Sequence, residues 1–129
     1  MDLPVVTGLD GTRFLSDVAH RAEILMGVVS LMHDFRSAGL WRREPIAEIH
    51  VEPSDGFSVY LNDDAMFVRL GHAPWRPKLR RLRRVLDRLD AQEARAEYVF
   101  LDNTRRPDRV TVRLRELEVP PEPEDATQG

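Results

Sequence analysis

At 129 residues, with 42% hydrophobic and 32% charged residues and a net charge of −3, the chain has the length of one domain and enough apolar side chains to fill a core. It has no cysteine, which excludes a disulfide, an iron–sulfur cluster and a thiolate zinc site, and is compatible with cytoplasm or periplasm alike. No apolar run of about 18 residues is present to span a bilayer, and the charge balance does not favour a general nucleic-acid binder.

Met1 to Val6 has neither a basic region nor a long apolar core, so it does not read as a signal peptide; for a protein working outside the cytoplasm, the targeting segment lies outside this sequence. Leu3 to Gly8 is a short apolar lead-in with Pro4 near one end and Gly8 at the other, followed by the loop Leu9-Asp10-Gly11. From Thr12 to Ala38 the spacing predicts one helix: Leu15, Val18, Ala22, Leu25, Val28 or Val29, Met32 and Phe35 recur every three to four residues. Gly39 stands where a left-handed C-cap belongs, and Leu40 can fold back on the last turn. Gly27, in mid-helix, costs about 1 kcal/mol against Ala and points to a close helix–sheet contact.

Trp41 to Glu44 is a polar link. Three strands are then expected: Ile46–Glu52, halted by Pro53; Phe57–Leu61; and Ala65–Leu70. Ser54-Asp55-Gly56 and Asn62-Asp63-Asp64 supply the turns of an antiparallel meander. A second helix begins near Pro74 or Pro77, where a missing N–H is harmless, and ends near Leu89 or Ala91. Leu79, Leu82, Leu86 and Leu89, with Val85 beside them, make its apolar stripe. Two more strands follow, Tyr98–Leu101 and Arg109–Leu117, joined by the loop Asp102 to Asp108. Residues 1–117 thus form one domain, and 118–129 reads as a Pro- and acid-rich disordered tail.

The expected fold is α+β: a single antiparallel sheet with two helices packed on one face. Ser58, Tyr60, Thr111, Arg113 and Arg115 fall on the wet face. Phe57 or Val59, Met66, Val68, Leu70, Val110, Val112 and Leu114 fall under the helices. Each such burial is worth about 1.5–3 kcal/mol before chain entropy is counted.

The last strand is the most informative stretch. Arg109 to Leu117 alternates polar and apolar residues with period two and ends before Pro120, Pro121 and Pro123. A last strand with nothing folded after it is a natural sheet edge, with unpaired N–H and C=O groups that a foreign chain can complete. The reading is a binding module rather than an enzyme. There is no serine elbow, phosphate loop or Gly-rich fingerprint, and His20, His33, His50 and His72 lack the spacing of a helical zinc pair; no cofactor or metal is implied. Trp41 and Trp75 flank helix ends as packing anchors. The alternative is binding of nucleic acid or anionic lipid through the basic helix 76–88, with Arg76, Lys78, Arg80, Arg81, Arg83, Arg84 and Arg88, against a plain solvated face paired with Asp87, Asp90 and Glu93.

Several motifs occur together in order. They are Leu3-Pro4-Val5-Val6-Thr7-Gly8, a long helix ending in Gly39-Leu40, the strand centre Glu48-Ile49-His50-Val51, and Val68-Arg69-Leu70-Gly71. Lys78-Leu79-Arg80-Arg81-Leu82-Arg83-Arg84-Val85-Leu86 follows, then a Tyr-Val-x-Leu strand and an Arg-Val-x-Val-Arg strand. Over residues 3–117 this resembles the C-terminal β domain of the bacterial divisome protein FtsQ (DivIB) family. The resemblance implies a non-catalytic scaffold on the periplasmic face of the cytoplasmic membrane, whose full-length members carry a cytoplasmic tail, a membrane helix and a POTRA domain. It implies partners of the FtsB and FtsL type, one of which adds a strand beside the last strand during septum formation. That maps to Arg109, Val110, Thr111, Val112, Arg113, Leu114 and Arg115, with Asn103, Arg105 and Arg106 in the loop that shapes one end. The chain departs from the family pattern at Phe100, where an acid is usual, and at Asp102, where Arg is usual; Arg105 or Arg106 is the candidate replacement.

Overall fold

A computed structural model describes residues 3–116; the expected end of the last strand at Leu117 and the tail 118–129 lie outside the described residues. The elements run β1 (Val5–Thr7), α1 (Gly11–Ser16), α2 (Val18–Ser37), β2 (Ile46–Val51), β3 (Phe57–Leu61), β4 (Met66–Gly71), α3 (Arg76–Ala91), β5 (Ala96–Phe100) and β6 (Thr111–Leu114). All six strands join one sheet in the order β1-β2-β3-β4-β5-β6.

The α+β expectation holds, with two corrections. The sheet is mixed: β1 pairs with β2 in parallel and β4 with β5 in parallel, while the remaining neighbours are antiparallel. Parallel neighbours need a crossover, and α2 and α3 supply it. Strands β1 and β4 point the same way and both crossovers advance in the same direction across the sheet. Crossovers of this kind are right-handed as a rule, which would send both helices to one face, and buried residues of α2 and α3 share a single cluster with the sheet. Among the described residues the helices also number three instead of two. The expected helix 12–38 breaks at Asp17, which is extended (φ −106°, ψ 98°), ends α1 and caps α2 by accepting from the His20 N–H. The lead-in 3–8 turns out to be edge strand β1, because Val5–Thr7 finds a partner more than 40 residues away in Glu48–His50.

Capping at the other end of α2 follows the expected chemistry. Gly39 takes φ +75°, and the Leu40 N–H reaches back to the Phe35 carbonyl. Gly27 lies against β3: a Cβ there would stand 2.9 Å from Phe57 Cζ. Phe57 in turn stacks on Trp75 at 5.4 Å, and Trp41 packs edge-on against Phe35. The core joins Ile24, Val28, Leu31 and Phe35 of α2 and Leu79, Leu82, Leu86 and Leu89 of α3 to the row Ile49, Val59, Val68 and Val99.

The opposite face has a polar half and an aromatic half. Thr7 Oγ1 meets Glu48 and His50 on β1–β2, and Tyr60, Phe67, Tyr98 and Phe100 pack side by side with Arg69 over Phe100 at 4.3 Å. Ser58, expected on the wet side, is fully buried and donates to Glu52. Its hydroxyl is satisfied and its small size lets neighbours close over it.

Candidate functional site

Strand β6 ends the sheet, paired on one side with β5 and with no strand of the described residues on the other. Register places Val112 opposite the buried Val99 and Leu114 opposite the buried Ala96, on the helix side. Thr111 and Arg113 lie opposite Phe100 and Tyr98 on the open side. The alternation is as expected, but the covering is not: Val112 is 37% exposed, Leu114 is 52% exposed and Val110 is half-buried. Two helices side by side at about 10 Å cover roughly four strands at about 4.8 Å spacing. Six strands leave the outermost ones without a roof.

The backbone of β6 is equally incomplete. The Arg115 N–H donates inward to the Arg95 carbonyl at 2.8 Å. Strand groups alternate direction, so Arg113 and Thr111 also face β5, and the N–H and C=O of Val112 and Leu114 point away from the sheet.

Five residues from four separate parts of the chain anchor the lower end of this edge. Arg95, just before β5, donates to Glu44 Oε1 at 2.6 Å and to Asp64 Oδ2 at 2.9 Å, and Asn62 donates to Glu44 Oε2. Arg115 then donates to the Asp64 carbonyl at 2.6 Å, tying the end of β6 to the β3–β4 turn. Glu44 is only 3% exposed, so its charge depends on Arg95. The Arg95 hydrogen bond holds the Asp64 carboxyl below the ordinary range, and the two acids push Arg95 further up.

At the upper end, the loop 102–110 closes on itself. Asn103 Oδ1 accepts from the Arg105 and Arg106 N–H groups, and the Arg109 N–H donates to the Arg106 carbonyl. Arg105, Arg106 and Arg109 are exposed. Asp102, at the position where Arg was usual, lies near Lys78; that attraction opposes the burial that lowers the Lys78 ammonium, which donates to the Leu70 and His72 carbonyls. A cavity of about 360 Å³ opens here between Pro74, Pro77 and Pro107.

The sequence marked the basic helix 76–88 as an alternative binding surface but did not place part of it beside the last strand. A groove of about 260 Å³ lies between α3 and the segment entering β6, lined by Arg81, Arg84, Val85 and Arg88 of α3 with Asp108 and Val110. The helical period separates these three arginines from Arg76, Arg80 and Arg83, which face α2 around Asp34 and Ala38. The signal was present in that spacing, but which side borders β6 follows only from strand order. Expected site residues 109–115 follow one another along this edge, Thr111–Leu114 as strand, and the loop holding Asn103, Arg105 and Arg106 lies at its upper end.

The chain matches the family model described as Cell division protein FtsQ/DivIB, C-terminal, over residues 1–102, a span that closes before β6. It is 41% identical over 114 residues to the cell division protein FtsQ of Anaeromyxobacter sp. (strain K), covering 88% of this chain and 38% of that relative. Against the FtsQ proteins of Myxococcus fulvus (strain ATCC BAA-855 / HW-1) and Geobacter sp. (strain M21), identity is 32% and 28%, covering 88% and 79% of this chain and 39% and 37% of those relatives. The chain therefore spans well under half the length of the curated relatives it matches.

Proposed function

Because the chain belongs to the family of the C-terminal domain of the cell division protein FtsQ/DivIB, we propose that it is the non-catalytic interaction domain of a division scaffold, and that it binds by taking a partner's strand along β6. The partners are division proteins of the FtsB and FtsL type, met on the periplasmic side of the cytoplasmic membrane during septum formation. One observation carries the reading: β6 is a sheet edge whose outward backbone groups and apolar residues Val112 and Leu114 are both open. An added strand converts them into main-chain hydrogen bonds worth about 0.5–1.5 kcal/mol net each. Among the described residues no helix is long and apolar enough to cross a membrane.

The test compares two prolines. Val112→Pro removes an outward N–H, so the domain keeps its fold, measured by circular dichroism and thermal melting, while binding to the FtsB-type partner is lost in a pull-down. Thr111→Pro removes an inward N–H and instead damages the β5–β6 pairing and lowers the melting temperature. A folded Val112→Pro domain that binds its partner normally overturns the proposal.

A further inference from the structure

The charges of α3 are segregated. Its acids Asp87 and Asp90 are taken by Arg43, at 2.7 and 2.6 Å. Two of its three α2-facing arginines are also occupied: Arg76 meets Asp34 and Arg83 donates to the Ala38 carbonyl. Arg81, Arg84 and Arg88 form no ion pair among the described residues, and with Val85 they line a groove whose other wall is Asp108 and Val110, the residues that lead into β6. A chain of net charge −3 thus gathers three arginines without an ion pair among the described residues beside the start of the β6 edge, with Asp108 the one acid lining the same groove.

A strand laid against β6 would point alternate side chains toward this groove. Its carboxylates two residues apart stand about 6.7 Å from each other. Arg81 and Arg88, two turns apart, span about 10.5 Å along the helix, within reach of two such carboxylates. Resting on the reading of β6 as a strand acceptor, we propose that the segment it accepts is acidic on its helix-facing side, its Asp or Glu residues meeting Arg81, Arg84 and Arg88. The main chain then supplies adhesion, and the arginines select which strand joins and in which register.

The test is a selection of random peptides displayed on phage against the immobilised full chain. Binders are first sorted by whether Val112→Pro abolishes them. Among those it abolishes, Asp and Glu are expected at alternate positions, and the triple variant Arg81→Glu, Arg84→Glu, Arg88→Glu should weaken synthetic copies about tenfold. Gln versions of the same peptides should bind wild type and triple variant alike, and Arg80→Glu, on the α2 side, should change nothing. Edge-dependent binders with no acidic enrichment, indifferent to the triple variant, overturn this inference and leave strand addition standing. The absence of any edge-dependent binder overturns both. If edge-dependent peptides ignore the three arginines while phosphatidylglycerol vesicles bind the chain and lose it in the triple variant, the cations serve lipid headgroups and the inference fails.

Discussion

Glu44 shows how a single buried charge organises one end of the binding edge. Its carboxylate sits in a core position and takes hydrogen bonds from Arg95 and Asn62. Removing Arg95 leaves that charge uncompensated, which is far costlier than losing a surface pair. Arg95→Ala is expected to destabilise the domain by about 3 kcal/mol, read as a lowered urea midpoint. The same guanidinium depresses Asp64, so that group's stabilising contribution is complete above the ordinary carboxylate value of about 4 and disappears as pH falls through the depressed folded value. Wild type therefore loses stability on acidification, whereas Asp64→Asn starts lower at neutral pH and falls less steeply. Parallel curves for the two proteins would contradict the assignment. None of this was legible in the sequence, where Glu44, Asp64 and Arg95 look like ordinary surface charges in separate loops.

At the level of elements, local pattern and long-range pairing separate cleanly. The stripe of α3, the Gly39 cap, the meander β2–β4 and the period-two face of β6 all follow from spacing and turn chemistry within a short window. The break at Asp17 was hidden because the apolar period runs through it while the backbone leaves the helix for one residue. Strand β1 was hidden because three residues carry too little pattern, and its pairing with β2 is set by the whole length of α2. Gly27 is the case where a local irregularity announced a tertiary contact. Gly27→Leu should recover helix propensity yet drive a branched side chain into Phe57, for a net loss of about 1–2 kcal/mol in thermal or chemical denaturation. A neutral or stabilising outcome would mean α2 rides higher over β3 than the 2.9 Å approach implies.

On the scale of the molecule, α2 and α3 share one buried cluster with a six-stranded sheet and form the helical layer against it. That layer is narrower than the sheet, and the shortfall is what leaves β6 available. The edge was foreseeable because no further strand or helix pattern follows Arg109–Leu117 in the sequence; its lack of a roof was not, since that depends on helix width against strand count. The arginine flank has the same origin, being the side of α3 that faces the segment leading into the uncovered strand.

That flank has a bearing on self-recognition. Two copies meeting β6 to β6 around a two-fold axis normal to the sheet would form one continuous sheet, the usual first step toward fibrils. The same operation would set Arg81, Arg84 and Arg88 of one molecule against their counterparts, and like charges oppose the union. Changing all three to Gln should lower the concentration at which the domain dimerises in sedimentation experiments, and unchanged behaviour would deny the arginines this part. A surface that welcomes a stranger and repels its twin can stay open at working concentration without becoming a seed.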